Sequence, residues 1–260
     1  MLRKKQKDNR SPLKDRPLRL PGQSVDEEIE RIFDDEIMYF VMMIVVFVFA
    51  TFWDWYWAIL NVPRNPVATT VLSAVIIAFC AFRIFRVYKK IAPLKLGRDG
   101  ERIVAEQLDV LKQEGAVIFH DVVGDGFNLD HVIFCKYGIF VAETKTRSKP
   151  STRDSKVTYD GKVLLVDGFK PDRDPIAQAK MNADWLKKEL QNSTGKTYSV
   201  RPVVLFPGWF VESEIRDRAV WVLEPKALPK IVQNETVKIS DTDLHLAVYH
   251  MNRIARPVPR

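Results

Sequence analysis

The chain has 260 residues and a formal net charge of +7, a balance that favours an anionic partner such as nucleic acid or lipid headgroups. Its two cysteines, Cys80 and Cys135, are too few for a disulfide framework or a cysteine-based metal cluster, and they fit a reducing compartment. The first region, 1–36, is a tail of basic and acidic residues whose polar, proline-containing composition predicts partial disorder.

Two long apolar segments follow the tail, at 37–60 and 66–88. A bilayer core of about 30 Å needs about 20 apolar residues in a helix, and both segments reach this length if Arg83 and Arg86 extend to the headgroups. The turn between them is short, so we predict a transmembrane helical hairpin over 37–90. A pair of buried core helices is the alternative, although such helices rarely lack a polar stripe for this length.

Basic residues set the predicted orientation of the hairpin. The turn holds one, Arg64, whereas six follow the second segment: Arg83, Arg86, Lys89, Lys90, Lys95 and Arg98. By the positive-inside rule we expect both termini and the soluble domain in the cytoplasm, for example beneath a bacterial inner membrane. The hairpin also offers a surface for forming a homo-oligomer. Asp54 lies in the aromatic cluster Trp53–Trp57, which is typical of headgroup depth; a functional carboxylate within the bilayer is the alternative.

After residue 90 the pattern changes to alternating helix and strand signals. Residues 97–115 predict a helix in which Glu101 begins the apolar stripe of Val104 and Leu108, and Asp160-Gly161 predicts a type I′ turn. Strands are predicted at 116–120, 129–134, 139–146, on both sides of that turn, and at 201–206 and 219–223; helices are predicted at 175–190, at 227–232 and after Ser240. The order predicts an α/β layer fold, with a domain at 91–215 and a C-terminal helical extension at 216–260.

Charged residues interrupt the strand at 139–146. Because alternate residues of a strand share a face, Glu143 and Lys145 continue the apolar face of Ile139 and Val141. If Phe134 pairs with Ile139, Asp130 on the preceding strand lies across from Glu143. A connection shorter by one residue would instead turn Asp130 to the opposite face.

Two carboxylates in a half-buried site repel each other and call for a cation. Oxygen ligands suit Mg²⁺ or Mn²⁺ rather than zinc. A neighbouring lysine can hold an attacking water or stabilise charge that develops on a phosphate. Together these groups predict a phosphodiester hydrolase. An ordinary surface salt bridge between Glu143 and Lys145 is the alternative, because the pattern alone is common.

The pattern belongs to a longer series of motifs in one order: GRDGE (97–101), LDHVIF (129–134), KYGIFVAETKT (136–146), DPIAQAKMNADWL (174–186) and RPVVLF (201–206). Over 97–208 the chain resembles the NERD, or nuclease-related, domain of the PD-(D/E)XK nuclease superfamily. The resemblance implies a restriction-endonuclease-like αβββαβ core behind the two transmembrane helices. It also implies a catalytic set in which Asp130, Glu143 and Glu101 bind Mg²⁺ or Mn²⁺, Lys145 positions water, and Gln178 orients the lysine or the phosphate.

Basic residues follow the candidate site at Arg147, Lys149, Arg153 and Lys156. They are expected to contact a nucleic-acid backbone; a solvated loop is the alternative. The sequence thus predicts a membrane-anchored, metal-dependent nuclease that acts on DNA rather than RNA. A catalytically silent module that binds nucleic acid or protein is the second hypothesis. A transporter or channel subunit is the third, and two spans with a single acid offer it no ion relay.

Overall fold

The computed structural model describes residues 17–63, 65–149, 155–213, 219–236 and 238–256. Residues 1–16 of the predicted tail lie outside these ranges, as do two basic residues of the sequence analysis, Arg64 and Arg153. The chain divides into two compact units. One comprises Gly22–Arg102 with Thr146–Ser148, and the other comprises the remaining described residues.

The first unit is a helical hairpin. Its helices are α1 (Gln23–Ile32), α2 (Met38–Ile59) and the first part of α3 (Pro66–Gln113), with a π-helical turn between α1 and α2 at Phe33–Ile37. The helical stretches 23–59 and 66–113 are each long and apolar enough to cross a membrane. Large apolar side chains of both helices are exposed, which in a folded protein calls for lipid or a partner surface.

Polar contacts join the two apolar helices near their connection. The Thr51 hydroxyl donates to Ser73 Oγ at 2.8 Å, and the Thr69 hydroxyl donates to Asp54 Oδ2 at 2.6 Å. Asp54, the acid singled out in the aromatic cluster, therefore accepts a hydrogen bond from the facing helix. Such bonds satisfy polar groups inside an apolar pair of helices.

The helix α3 is continuous through Pro93, although the sequence predicted two separate helices, at 66–88 and 97–115. Proline removes one backbone donor and normally kinks or ends a helix. Here Ile91 packs with Val87 against apolar residues of the preceding helical segment. Arg98 and Arg102 of α3 also pair with Asp26 of α1. Packing along the helix thus outweighs the local preference to break.

The second unit contains two sheets. The larger sheet has the strand order β1-β2-β3-β6-β8, formed by Val117–Val123, Asn128–Cys135, Gly138–Thr144, Val200–Leu205 and Trp221–Leu223. The smaller sheet has the order β5-β4-β7, formed by Leu164–Val166, Lys156–Tyr159 and Phe210–Ser213. The helices α4 (Pro175–Thr194), α5 (Leu228–Gln233) and α6 (Asp241–Ile254) complete the unit.

The connectivity is the predicted αβββαβ core. The end of α3 leads into the antiparallel strands β1, β2 and β3, and α4 then carries the chain to β6, which is parallel to β3. One face of the large sheet packs on Val104, Leu108 and Leu111 of α3. The other face packs on α4 and α6, with Leu186 and Leu190 at its centre.

The predicted strand register is also confirmed. Phe134 pairs with Ile139 across β2 and β3. The turn at Asp160, in contrast, is not type I′, because Asp160 does not have the positive φ that this turn requires. The C-terminal segment adds a strand, β8, to the large sheet as well as helices, so it belongs to the same compact unit as the two sheets.

Candidate active site

Glu143 is the centre of a buried polar cluster at the end of β3. Only 3 % of its surface is exposed. Its Oε1 accepts hydrogen bonds from Lys145 Nζ at 2.7 Å and from Gln178 Nε2 at 2.7 Å. Its Oε2 accepts one from Asn182 Nδ2 at 2.9 Å. The carboxylate is thus held at both oxygens by three different side chains.

The helix α4 delivers two of these donors because of how it begins. Asp174 is its N-cap and accepts from the backbone N–H groups of Ile176 and Ala177, and Pro175 occupies the first helical turn. This start sets the rotation of the helix. Gln178 and Asn182 are four residues apart, so they share the face that covers Glu143.

Lys145 bridges the two elements of the cluster. Its Nζ donates to Glu143 at 2.7 Å and to Gln178 Oε1 at 3.0 Å. Since Gln178 also donates to Glu143, the three side chains form a closed ring of hydrogen bonds. The Lys145 side chain remains 28 % exposed, so its ammonium group lies where the buried cluster meets solvent.

Asp130 lies beside this cluster on β2. The β2–β3 register pairs His131 with Ala142, and continuing it by one residue places Asp130 across from Glu143. Asp130 Oδ2 accepts the backbone N–H of Thr144 at 2.7 Å. This bond fixes the carboxylate at the end of β3 from which Lys145 projects.

Burial and charge act in opposite directions on Glu143. Loss of water around the carboxylate raises the pKa of Glu143, and the Lys145 ammonium together with the Asn182 amide partly offsets that rise. A perturbed acid paired with a lysine at a solvent boundary is a usual feature of active sites.

Glu101 lies on α3, half-buried, in the unit formed mainly by the helical hairpin. Its role beside the two carboxylates therefore stays a prediction. The neighbouring Gly100 has a clear structural reason: a Cβ there would lie 1.8 Å from Thr146 Oγ1. The helix approaches the chain just after Lys145 at a distance that only glycine permits.

The predicted phosphate-binding residues have separate surroundings. Lys149 Nζ lies 5.1 Å from the ring centre of Trp209, and Lys156 forms an exposed 2.9 Å salt bridge with Glu212. Arg147 is part of the hairpin unit. Arg153 lies outside the described residues. The geometry thus leaves nucleic-acid binding by these four residues as a prediction.

A separate cavity lies at the other end of β3. It has a volume of about 230 Å³ and is lined by Gly138 and Ile139 at the start of β3, whereas Glu143 is at the end of that strand. Of the basic side chains in it, Lys196 pairs with Asp243 and Arg201 with Glu235. We therefore place the candidate site at the end of β3, beside the partly exposed Lys145.

The donor set can be tested against the expected cation. Asp130 and Glu143 offer carboxylate oxygens, which suit Mg²⁺ or Mn²⁺. Among the residues that the structure describes, no group of three His, Cys, Asp or Glu side chains could hold a metal ion. The two carboxylates fit a cation that keeps several waters and takes further ligands from backbone or substrate phosphate, as Mg²⁺ commonly does.

Asn182 is the member of the cluster that the sequence analysis missed. Its signal was its position four residues after Gln178, within a motif already singled out. An asparagine in a helix is usually read as a surface residue, yet this one is completely buried.

The segment 96–207 matches the family model of NERD, the nuclease-related domain. No curated protein and no solved structure matches the chain. The matched segment contains all five predicted catalytic residues, begins within α3 and ends just after β6. Residues 96–207 are therefore similar to the nuclease-related domain.

Proposed function

We propose that the protein is a metal-dependent nuclease that hydrolyses phosphodiester bonds and is anchored in a membrane by its helical hairpin. The observation that carries the proposal is the ring formed by Glu143, Lys145 and Gln178 at the end of the central strand β3. An acid buried to this extent and bonded to a lysine is costly to maintain for stability alone. Its position beside Asp130 gives it a chemical use.

Each side chain would have a distinct task. Lys145, the partly exposed member, would hold the attacking water or stabilise negative charge on the phosphate oxygens. Gln178 would keep the lysine amine directed at the reacting group, since it accepts one of its protons. Asp130 and Glu143, with Glu101 as the further predicted ligand, would hold Mg²⁺ or Mn²⁺. A bound divalent cation supplies Lewis-acid stabilisation of the phosphate and lowers the pKa of water.

The membrane and DNA parts of the proposal have their own support. Helices of sufficient length and apolarity precede the domain, and their exposed apolar surface needs a lipid environment or a partner. The net charge of +7 favours a polyanion, and we propose DNA in preference to RNA as the substrate. The domain and both termini would then face the cytoplasm.

The proposal can be tested on the full chain in detergent micelles. We expect cleavage of at least one of single-stranded DNA, double-stranded DNA and RNA with Mg²⁺ or Mn²⁺, and none with EDTA. Asp130→Asn should abolish cleavage, whereas the exposed loop acid Asp125→Asn serves as the matched control. Absence of cleavage on every substrate, or equal rates for the two variants, would count against a nuclease.

One observation favours a second function. Lys145 already compensates the charge of Glu143, so the cluster is electrostatically complete as it stands. A module that binds nucleic acid or protein without cleaving it would need nothing more. Salt-sensitive DNA binding that is unaffected by EDTA, without hydrolysis, would support this alternative.

A further inference from the structure

Asn182 holds Glu143 from the side that Lys145 does not reach. Its Nδ2 donates to Glu143 Oε2 at 2.9 Å, while Lys145 and Gln178 both bond to Oε1. Without Asn182, the carboxylate would be fixed at one oxygen only and could turn about its terminal torsion, which is intrinsically soft. Asn182 therefore determines which way Oε2 points.

The side-chain amide of Asn182 is buried with only part of its hydrogen-bonding capacity used. The residue is fully buried, and its Oδ1 has no hydrogen-bond partner among the described residues. A buried acceptor without a donor costs about 1–3 kcal/mol. The orientation of the amide follows from chemistry, because an ionised Glu143 only accepts and must face the NH₂ group. An apolar residue here would remove this cost but would leave the buried Glu143 Oε2 without its donor, so the two changes in stability largely offset each other.

We propose that Asn182 is a positioning residue of the nuclease site, retained to orient the Glu143 carboxylate rather than to stabilise the fold. The inference rests on the proposed function. It follows that stability and function should separate at this position. Leucine has nearly the shape of asparagine but neither donates nor leaves an unsatisfied acceptor.

Asn182→Leu is the direct test, in the full chain, with Asn192→Leu on the exposed part of α4 as the matched control. We expect the midpoint of thermal unfolding to stay within a few degrees of the wild type. Removing such a supporting hydrogen bond typically costs about 10- to 100-fold in metal affinity or activity. We therefore expect Asn182→Leu to lower kcat by about 10-fold or more with little change in KM.

Binding of Mn²⁺ alone, measured by paramagnetic resonance, gives a readout besides cleavage. We expect weaker Mn²⁺ binding in Asn182→Leu and unchanged binding in Asn192→Leu. Wild-type rates and affinity in Asn182→Leu would overturn the positioning role alone. A loss of activity that only follows loss of folded protein would do the same. If the wild type neither cleaves nor binds Mn²⁺, the nuclease proposal and this inference both fail.

Discussion

The two faces of the large sheet bury polar groups in opposite ways. On the α3 side, His120 and His131 bond to each other through their Nδ1 atoms at 2.8 Å. On the α4 side, Glu143 is bonded to Lys145, Gln178 and Asn182. The histidines form a neutral pair within an apolar layer. The glutamate cluster is charged and reaches solvent through its lysine.

The difference between the two clusters distinguishes polar groups that are buried for structural reasons from polar groups that are buried in a candidate site. Desolvation lowers the pKa of His120 to about 4 and that of His131 well below its usual value, so both rings are neutral at pH 7 and chemically quiet. In the other cluster, the lysine keeps a charged acid tolerable at the edge of the core. A buried cluster of polar side chains thus indicates a functional site only where one of its members is charged and another reaches solvent.

The largest expected effect concerns the charged cluster. Lys145→Met removes the amine but keeps most of the side-chain length. General acid–base catalysis by a positioned side chain is worth about 10²- to 10⁴-fold in rate. We expect cleavage to fall by a factor in that range in a gel-based nuclease assay. Lys188→Met, on the exposed face of α4, should cleave like the wild type. A Lys145→Met rate within about twofold of wild type would assign the lysine to structure.

The buried pair of Arg19 and Asp121 extends the comparison, because it is charged like the Glu143 cluster but lies outside the candidate site. Arg19 Nε donates to Asp121 Oδ2 at 2.7 Å, and both side chains are nearly buried. Breaking a buried pair from one side typically costs about 3–5 kcal/mol. We expect Arg19→Met to lower the free energy of unfolding of the second unit, which contains the two sheets, by about that much, measured by denaturant titration. The double variant Arg19→Met/Asp121→Asn should recover part of the loss; a double variant as unstable as the sum of the single changes would refute the coupling.

The histidine pair predicts a dependence of stability on pH. Because the native pKa values lie below the unfolded value near 6.5, the unfolded state binds more protons between about pH 6.5 and pH 4. Stability should therefore fall as pH drops through this window, by at most about 1.4 kcal/mol per pH unit for each ring. Glu143 acts in the opposite sense, since its raised pKa makes the native state the stronger proton binder.

The double variant His120→Phe/His131→Leu isolates the histidine contribution, because the Glu143 contribution remains in both proteins. Denaturant titrations at pH 7 and pH 5 should show a smaller loss of stability in the variant than in the wild type. An equal loss in the two proteins would mean that the histidines are not the groups responsible.

The smallest expected effect concerns the exposed basic residues. Each phosphate contact that is lost lowers the slope of log affinity against log salt by about 0.9 for double-stranded DNA. We expect Lys149→Ala and Lys156→Ala each to reduce the slope by about that amount in a fluorescence binding assay, with kcat unchanged. Identical slopes in wild type and variants would place DNA binding on another surface.

Much of the fold could be predicted because local signals agreed with tertiary packing. The N-cap at Asp174 and the pairing of Phe134 with Ile139 are both fixed by short-range chemistry. The hairpin at Asp160-Gly161 was predicted, but its turn type was wrong because the aspartate side chain accepts from the N–H groups of Lys162 and Val163, which closes a longer loop.

Other features depend on partners distant in sequence. Nothing near Pro93 reveals that an acidic helix packs alongside α3 and carries it past the proline. Asn182 was overlooked because only the β3–α4 packing shows which side of α4 is buried. Arg19 lies 102 residues from Asp121, the residue with which it pairs. Long-range pairs of this kind leave no periodic signal in the sequence.

The measurement that tests the central claim most directly is Mg²⁺-dependent cleavage by the wild type and by Glu143→Gln in parallel. Glutamine keeps the shape of the side chain and removes its charge, and Glu106→Gln on the exposed side of α3 controls for the substitution itself. The account predicts cleavage by the wild type and the control that disappears in Glu143→Gln while that variant remains folded. Equal Mg²⁺-dependent cleavage by all three proteins would contradict it.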